Sequence, residues 1–491
     1  MKNVILFFPR LNPDDLPETR FLMPLSLLYV ATPLREAGYN VSILDARLRE
    51  DWLKELIRQV ETLDPVCVGI SSLTGIQLRT AMEAARAVKQ LAPDLPVVWG
   101  GVHASLLPAE TIREPFVDYV VVGEGEQTFT ELVARLDERK SLEDVKGIWY
   151  KDDGVPRRTP EPRKIDLNAV PPLAYDLVDM PRYYQPFWDT EPTGPTFITS
   201  RGCPFQCAYC YIEAFDQRLW RPIRPERVIE NLQHLIRITG TKSVFCLDDM
   251  FFTDMRRVKN ICRLIVESGM TVELDNVNCR ADAVCRFDDE ILELLIASGV
   301  QRLFVGLETG SNRMLKLIQK GSTREQAIKA NRILAKSPIK PIYAFMAGFP
   351  HETMADVKDT LSLMNTLLDD NENALITETS FYTPFPGTTL YQECKKIGIR
   401  LPQTMNEWAR MSYNKLQVEL FSPRQVDFLY KVKTLSAYLD HKNYETMRHS
   451  MKTNLKRLAA KVISKEFRWR VKNDFFAPFP EGRWLAPQSD V

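Results

Sequence analysis

The sequence is poor in histidine, in net charge and in long apolar runs. Its 491 residues include five histidines, and 64 basic side chains balance 64 acidic ones, so the formal net charge is zero. A neutral chain is not expected to hold nucleic acid through its overall charge, which leaves only a local basic face for that role. No apolar stretch approaches the roughly 20 residues that a membrane-spanning helix requires.

Cysteine is also sparse. Nine cysteines are too few for a disulfide scaffold in a chain of this length. Near the N-terminus, five apolar residues precede a proline, which is too short a run for the core of a signal peptide and predicts a first buried strand instead. The sequence therefore predicts a protein of a reducing, cytoplasmic environment.

Residues 1–136 alternate apolar runs with amphipathic segments. The predicted strands are 4–8, 41–44, 66–70, 97–99 and 119–122, and the predicted helices are 25–37, 52–62, 78–91 and 127–136. Strands that are apolar along their whole length and alternate with helices indicate a parallel sheet covered on both faces. We therefore predict a doubly wound, Rossmann-like α/β domain, whose ligands bind at the carboxyl ends of the strands.

Three further regions follow this domain. Residues 137–193 are rich in proline and are predicted to be a linker, with a small hairpin near 148–150. Residues 194–390 contain six strand–helix units, which predicts a partial (β/α)6 TIM-type barrel with its active site at the carboxyl ends of the strands. Its predicted strands are 196–199, 243–247, 272–277, 302–306, 341–346 and 376–381. Residues 391–491 are predicted to be a helical C-terminal region.

The sharpest motif is a triplet of cysteines after the first strand of the second unit, at Cys203, Cys207 and Cys210. Thiolates in one short loop are suitable ligands for a metal or an iron–sulfur cluster. Three ligands rather than four would leave one iron of a [4Fe–4S] cluster open to bind another molecule. Gly202 and Pro204 favour a loop over three cysteines buried in a turn, and zinc is a weaker alternative because no fourth cysteine or histidine lies at a suitable spacing.

A Cys-x3-Cys-x2-Cys loop after the first strand of a six-unit barrel resembles the radical S-adenosylmethionine (SAM) enzymes. The resemblance implies that the three cysteines hold a [4Fe–4S] cluster, and that the open iron binds SAM before its cleavage to a 5′-deoxyadenosyl radical. Residues near successive strand ends are then expected to contact SAM. They are Tyr209, Asp248, Asp249, Arg280, Glu308, Gly348 and Phe349.

The resemblance also implies a role for each of these side chains. The tyrosine before the third cysteine is expected near the adenine, and the two aspartates after the second strand are expected to accept the SAM ammonium. Arg280 is expected to pair with the SAM carboxylate as a bidentate donor. Glu308 is expected to accept hydrogen bonds from the ribose hydroxyls, and the Gly348-Phe349 turn is expected to flank the adenine with its backbone.

The N-terminal region resembles the cobalamin-binding domain fused to one branch of radical SAM enzymes. The likeness rests on residues 23–31, 69–75, and 100–104 together with 122–126, which lie at or near strand ends. The residues expected to contact cobalamin are Ser71, Leu73, Thr74, Gly100, Gly101, His103, Gly123, Glu124 and Gly125. The paired glycines at 100–101 would let the backbone approach the nucleotide tail, because no Cβ intervenes.

The sequence differs from that of classical cobalamin enzymes in the residues that would bind the lower side of the cobalt. The Asp-x-His-x-x-Gly motif of classical cobalamin enzymes is absent, and His103 is the only histidine of this domain. We therefore expect the nucleotide tail to be displaced from cobalt, with no histidine ligand and with the 71–77 loop facing the lower side of the corrin. The alternative is a domain that kept its fold and lost the cofactor.

The remaining cysteines and the C-terminal stretch are less distinctive. The six other cysteines are predicted to be small buried hydrophobes, with Cys279 left open as a site residue because its strand end faces the proposed site. Residues 441–472 are basic and carry an apolar stripe at helical spacing, formed by Met451, Leu455, Leu458 and Val462. Such a helix either lies on an anionic membrane surface or packs on the barrel, and we favour packing.

The first functional hypothesis is a cobalamin-dependent radical SAM methyltransferase. It would methylate an unactivated carbon by means of a 5′-deoxyadenosyl radical and methylcobalamin. The alternatives are a non-methylating cyclase, rearrangement or dehydration enzyme of the same branch, and a non-enzymatic cobalamin carrier or sensor. A tRNA methylthiotransferase is disfavoured, because that family has a further cysteine set in its N-terminal domain, whereas this domain has Cys67 alone.

The first hypothesis also implies particular partners. We expect a small-molecule or lipid-like substrate in the seam between the two domains, and an electron donor such as flavodoxin or ferredoxin. No nucleic-acid partner is expected. Peripheral membrane contact through the C-terminal tail is the remaining expectation, and it would make a cytoplasmic protein membrane-associated.

Overall fold

The computed structural model describes residues 1–11, 22–162, 164–183, 194–412, 415–440 and 454–476, without the side chains of 454–460. The strands are β1 (Asn3–Phe8), β2 (Asn40–Asp45), β3 (Pro65–Ser71), β4 (Val97–Gly100), β5 (Tyr119–Val121), β6 (Ile148–Asp152), β7 (Val155–Arg158), β8 (Thr196–Phe197), β9 (Ser200–Arg201), β10 (Arg221–Pro222), β11 (Ser243–Cys246), β12 (Glu273–Asp275), β13 (Val277–Cys279), β14 (Arg302–Glu308), β15 (Lys340–Ala347), β16 (Leu375–Ile376) and β17 (Ser380–Phe381).

Helices separate most of these strands. They are α1 (Leu25–Glu36), α2 (Trp52–Leu63), α3 (Gln77–Leu91), α4 (Val102–Leu106), α5 (Pro108–Thr111), α6 (Gly125–Asp137), α7 (Tyr211–Asp216), α8 (Pro225–Thr239), α9 (Met255–Glu267), α10 (Ala281–Val284), α11 (Asp289–Ala297), α12 (Asn312–Leu317), α13 (Arg324–Leu334), α14 (Met354–Asp370), α15 (Thr389–Lys396), α16 (Met405–Trp408), α17 (Pro423–Leu439) and α18 (Asn454–Lys472). Short 3-10 turns lie at Ala46–Leu48, Tyr175–Leu177, Met180–Tyr183, Phe251–Thr253 and Val418–Leu420.

The N-terminal strands form one sheet in the order β2-β1-β3-β4-β5-β6-β7. Strands β1 to β5 run parallel to one another, as a doubly wound fold requires. On β1, Ile5 and Phe7 belong to the core on one face, whereas Val4 and Leu6 belong to the core on the other. The strand is apolar throughout because both faces are covered, which confirms the predicted fold class.

The predicted linker contributes to this sheet. Its hairpin forms β6 and β7, and β6 pairs antiparallel with β5, so the sheet extends beyond the boundary predicted at residue 136. Residues 164–183 of the segment pack along the domain. The backbone N–H of Ala174 donates to Thr32 Oγ1, and the hydroxyl of Tyr183 donates to Asp45. These contacts could not be predicted from the proline-rich composition, because they join residues far apart in sequence.

The second unit is the predicted partial barrel. Its parallel strands form one sheet in the order β12-β11-β8 and another in the order β13-β14-β15-β16, with β17 paired to β15. The predicted third strand divides at Asn276, whose positive φ of 52° interrupts regular pairing between β12 and β13. The predicted sixth strand likewise divides into β16 and β17.

The C-terminal region connects both domains. The N–H of Leu390, in α15, donates to the carbonyl of Ala208 inside the cysteine loop. Farther along, Trp408 in α16 is fully buried within the core of the N-terminal domain, and Arg79 of α3 donates to the carbonyl of Ala409. Residues 389–411 therefore contact the barrel at one end and the N-terminal domain at the other.

Helix α18 packs on α17 and on α14 of the barrel. Phe467 is buried against Tyr438, and Ser464 donates to the carbonyl of Leu439. Val462, a member of the predicted stripe, is 60% exposed, so the stripe is wrong at this position. The side chains of its other three members lie outside the described residues. Within the described ranges, no helix is both long and apolar enough to cross a membrane.

The packing of α18 generates a stability prediction. Replacing Phe467 with alanine should lower the free energy of unfolding by roughly 3–5 kcal/mol, because a buried ring is lost from a packed core. Trp469, on the same helix, is 56% exposed. Trp469→Ala is the matched control and should change stability by only about 0.5 kcal/mol. Equal effects of the two substitutions in denaturant unfolding would contradict this packing.

Candidate functional site

The cysteine loop lies between β9 and α7 and is anchored at its middle. The backbone N–H of Ala208 donates to the carbonyl of Ile318, and its carbonyl accepts from Leu390. The N–H of Cys210 closes a turn onto the carbonyl of Cys207. These bonds fix the backbone between the second and third cysteines on a platform of neighbouring segments.

The three cysteines are chemically suited to a cluster. None is in a disulfide, and Cys203 and Cys210 are partly exposed. Burial raises the pKa of the Cys203 thiol to about 11 and that of Cys210 to about 12, so iron must displace protons when it binds. Across the described ranges, no three potential ligands converge tightly enough for a single metal ion. A cluster places each thiolate on a different iron, so its ligands need not meet at one point.

Arg280 is held beside this loop. Its Nε donates to Asp282 at 2.8 Å, and one Nη donates to the carbonyl of Lys320 at 2.5 Å. The guanidinium lies 3.8 Å from the centre of the Phe205 ring, and its other Nη is 3.8 Å from Cys207 Sγ. The structure thus places a fixed positive charge against a predicted cluster ligand. Pairing with the SAM carboxylate remains a prediction.

A buried ion pair that the sequence did not predict lies next to the cysteines. Lys320 Nζ is 2.7 Å from Glu308 Oε1 and 3.2 Å from the hydroxyl of Tyr209. Burial lowers the pKa of this lysine, but Glu308 and Cys207 outweigh that effect and keep the pKa above its ordinary value. A lone lysine in a loop gives no sequence signal, so this group could be found only in the fold.

The backbone around Glu308 is shaped for this ion pair. Glu308 has a φ of +66°, an uncommon conformation for a residue with a side chain. A Cβ at Gly306 would lie 2.5 Å from Glu308 Oε1 and 3.3 Å from Lys320 Nζ. Glycine at 306 therefore makes room for both charged groups.

The two aspartates after β11 have different surroundings. Asp248 is fully buried and accepts from the N–H and hydroxyl of Thr199 and from the hydroxyl of Ser200. These bonds use most of its acceptor capacity, so the structure gives it a role in holding the chain rather than the predicted contact with SAM. Asp249 lines the cavity described below, and burial raises its pKa to about 6 although it accepts from the N–H of Gly202.

The Gly348-Phe349 turn is fixed from behind. Gly348 has a φ of +82°, and its N–H donates to Glu352 Oε2 at 2.6 Å. Burial raises the pKa of Glu352 to about 8. The Phe349 ring is fully buried, with its centre 5.8 Å from that of Tyr209. Tyr209, Glu308 and this turn thus form one cluster at the strand ends, as the sequence predicts.

A cavity of about 370 Å³ lies between the two domains. Of the residues predicted to contact cobalamin, six line it: Ser71, Gly100, Gly101, Gly123, Glu124 and Gly125. On the barrel side the lining comes from the segments that follow β8 and β11 and from α7. These residues include Ile198, Tyr211, Phe215, Leu247 and Asp249. The cavity therefore has walls from both domains, in the seam predicted for the substrate.

The glycines that line this cavity let the backbone come close to its neighbours and to the cavity. A Cβ at Gly101 would lie 2.6 Å from the carbonyl oxygen of Ser72, so only glycine allows β4 to approach the neighbouring loop. Gly101 and Gly123 also have positive φ angles, of 88° and 77°. A Cβ at Gly100 would make only an ordinary van der Waals contact with its neighbours. The backbone of Gly100 borders the cavity directly, because the residue has no side chain. These glycines leave backbone free of side chains along one edge of the cavity, which fits the approach of cobalamin predicted from the sequence.

Leu73, Thr74 and His103, three residues predicted to contact cobalamin, do not line the cavity. The N–H of His103 donates to the carbonyl of Ser72, and its fully buried ring packs edge-on against Trp408. Its Nδ1 lies 3.1 Å from Thr74 Oγ1, and burial lowers its pKa to about 3. The histidine is a neutral core residue, because α16 packs against its ring. That contact comes from a distant segment and could not be predicted from the sequence.

Cys279 is also a core residue. Its side chain is 3% exposed, and its Sγ donates to the carbonyl of Arg280. Four of the other cysteines outside the triplet are buried as predicted, and Cys285 is partly exposed. None of these six lines the cavity between the domains.

The cysteine loop generates a metal-binding prediction. Anaerobic reconstitution of the wild type should give about four irons per chain. Replacement of Cys203, Cys207 and Cys210 together by alanine should abolish iron binding and SAM cleavage while the chain still folds. Cys285→Ala is the matched control and should keep the iron. Full iron content in the triple variant would contradict the assignment.

The position of His103 generates a spectroscopic prediction. Bound cobalamin should show a base-off absorption spectrum, and His103→Ala should leave that spectrum unchanged, because the ring is enclosed by protein. The substitution should still lower the melting temperature, since it opens space beside Trp408. A changed cobalt ligand in the variant would show that the ring reaches the metal.

Comparison with known proteins supports the same assignment. The family model of the B12 binding domain matches residues 20–133, and that of the Radical SAM superfamily matches residues 197–364. An uncharacterized methyltransferase of Pyrococcus horikoshii is 32% identical over 421 residues, which are 85% of this chain and 88% of the relative. An anaerobic magnesium-protoporphyrin IX monomethyl ester cyclase of Rubrivivax gelatinosus is 26% identical over 75% of this chain and 66% of the cyclase.

A solved structure has the same fold. The radical SAM methyltransferase TsrM of Kitasatospora setae, solved with cobalamin and a [4Fe–4S] cluster, superposes with a TM-score of 0.64 at 21% identity. The superposition covers 82% of this chain and 76% of TsrM. The two family models account for the three cofactors that the sequence predicts. The chain therefore belongs to the cobalamin-binding radical SAM enzymes, whose cofactors are cobalamin, SAM and a [4Fe–4S] cluster.

Proposed function

We propose that this protein is a cobalamin-dependent radical SAM methyltransferase that methylates an unactivated carbon of its substrate. The observation that carries the proposal is the cavity whose walls come from both the glycine-rich edge of the first domain and the mouth of the barrel. A substrate in this seam lies between the two cofactor sites. Methylation by a radical route requires that arrangement, because hydrogen removal and methyl delivery act on the same carbon.

The chain's own residues bind and orient the cofactors. Cys203, Cys207 and Cys210 hold the cluster, and the glycines that line the cavity leave room for cobalamin. The ion pair of Lys320 with Glu308 supplies one charge of each sign at the SAM side. When bound, SAM and the cluster supply a radical that removes a hydrogen atom, and cobalamin supplies the methyl group.

The lining of the cavity favours a largely apolar substrate. Most of its side chains are aliphatic or aromatic, and Arg201, Glu124, Glu126 and Asp216 are engaged in ion pairs with one another or with neighbouring residues. We therefore propose a small-molecule or lipid-like substrate. Asp249, whose pKa is about 6, is the polar group we propose to hydrogen-bond it.

An electron donor is the second partner in this proposal. Reductive cleavage of SAM requires one electron, which must come to the cluster from outside the chain. We propose a small redox protein such as flavodoxin or ferredoxin. The partial exposure of Cys203 and Cys210 supports this proposal, because electron transfer requires a short distance between the donor and the cluster.

The proposal can be tested before the substrate is known. The reconstituted protein with cobalamin, given SAM and a reductant but no substrate, should form S-adenosylhomocysteine in proportion to the bound cobalamin. The same protein without cobalamin is the control and should form 5′-deoxyadenosine alone. Formation of 5′-deoxyadenosine without S-adenosylhomocysteine, although cobalamin is bound, would exclude methyl transfer.

Formation of 5′-deoxyadenosine without S-adenosylhomocysteine would favour a cyclase or another non-methylating radical enzyme. The similarity to the Rubrivivax cyclase supports this second candidate, but at lower identity than the similarity to the Pyrococcus methyltransferase. A carrier or sensor should form neither nucleoside product even as the wild type. Both radical candidates should form product in the wild type and none in the triple cysteine variant, which should still bind cobalamin. Products formed by that variant would contradict both radical functions.

A further inference from the structure

An arginine next to the cysteine loop binds two carboxylates of the other domain. Arg201 precedes Cys203 by two residues, and one of its Nη atoms lies 2.8 Å from Glu124 Oε1. Its other Nη lies 2.6 Å from Glu126 Oε1. Glu124 immediately precedes α6 and Glu126 lies in its first turn, and both line the cobalamin side of the cavity. One guanidinium thus bridges the two cofactor loops.

A second arginine, Arg221, also binds Glu124. Arg221 pairs with Arg201 across the antiparallel β9–β10 ladder, and its guanidinium donates to both carboxylate oxygens of Glu124, at 2.6 and 3.0 Å. Glu124 also accepts from the backbone N–H of Ile165. The carboxylate is therefore surrounded by donors from three segments of the chain.

The contacts are shielded from water. The side chains of Glu124 and Glu126 are each 7% exposed, and that of Arg201 is 18% exposed. The ring of Tyr29 lies under the Arg201 guanidinium, 4.3 Å from its centre. Burial by itself raises the pKa of Glu124, but Arg221 and Arg201 outweigh it and hold the pKa below its ordinary value. Charged groups in such surroundings are much more stable together than apart.

We propose that Arg201 is a positioning residue that couples the two cofactor sites, so that binding of the cluster strengthens binding of cobalamin. The proposal rests on the proposed function for the presence of both cofactors. Ligation through Cys203 fixes the chain two residues from Arg201. The fixed guanidinium then holds Glu124 and Glu126, which pre-organises the glycine-rich edge that receives cobalamin.

Two general relations define the size and direction of the effect. A site that is already ordered loses less conformational entropy when its ligand binds, so the ligand binds more tightly. The coupling must also be reciprocal, so that bound cobalamin strengthens binding of the cluster by the same factor. Coupling of this kind usually changes affinity by about 5- to 150-fold.

The test is an anaerobic titration with cobalamin, followed by absorption. The affinity of the wild type with its cluster is compared with that of the cluster-free triple cysteine variant. We expect cobalamin to bind on the order of tenfold more tightly when the cluster is present. Because equilibrium binding is measured, the result does not depend on turnover.

The same pair of titrations is then made with Arg201→Lys. Lysine keeps the positive charge but has a single ammonium group, which cannot span two carboxylates as the guanidinium does. The ratio of the two affinities should fall to about one, with iron content unchanged. Glu126→Gln removes the bridge from its other end and should have the same effect, which keeps the test valid if one variant folds poorly.

Arg218→Lys is the matched control. Arg218 follows α7 in the same part of the barrel, but it is exposed and pairs with Glu213 within its own domain. This variant should keep the wild-type ratio. A ratio near one in the wild type, or a wild-type ratio in both bridge variants, would overturn the coupling. Absence of any cobalamin binding would overturn the proposed function and the coupling with it.

Discussion

The buried carboxylate of Asp248 fixes the entrance to the cysteine loop. It accepts three hydrogen bonds from Thr199 and Ser200, and the carbonyl of Thr199 accepts in turn from Arg257. A buried charge without partners is costly, so these residues stay together and β9 begins at a defined place relative to β11. Both the cysteines and Arg201 take their positions from that strand. The chemistry of the site thus depends on an aspartate that does not face the cavity.

The cavity between the domains has stable walls because the chain crosses the seam more than once. Residues 164–183 return along the first domain after its last strand, and residues 389–411 run from the cysteine loop to the core around Trp408. The two arginines of the β9–β10 ladder add charged contacts at the centre of the seam. Apolar packing at the edges and ion pairs at the centre therefore hold the same interface, which keeps the spacing of the two cofactor sites constant.

The sequence predicted the strands and the strand-end loops well, because apolar runs and glycine turns are local signals. The cysteine triplet, Glu308 and the glycine-rich edge lie at or just after strand ends, which is where the sequence pattern located them. The sequence could not tell Asp248 from Asp249, since side chains alternate in direction near a strand end and only the fold shows which one is enclosed. The surroundings of His103 and Lys320 could not be predicted for a related reason, because they come from segments far away in sequence.

The charges around the cavity explain how a polar rim and an apolar interior occur together. Glu124 and Glu126 are neutralised by Arg201 and Arg221, and Asp216 lies 3.1 Å from Lys164, so these groups attract little water. Radical intermediates require such a dry site, because exclusion of water prevents side reactions. The barrel-side carboxyl of Asp249, with a pKa of about 6, carries a proton part of the time near neutral pH and can then donate a hydrogen bond. The ion pairs that position the two cofactor loops therefore also keep the reaction space apolar.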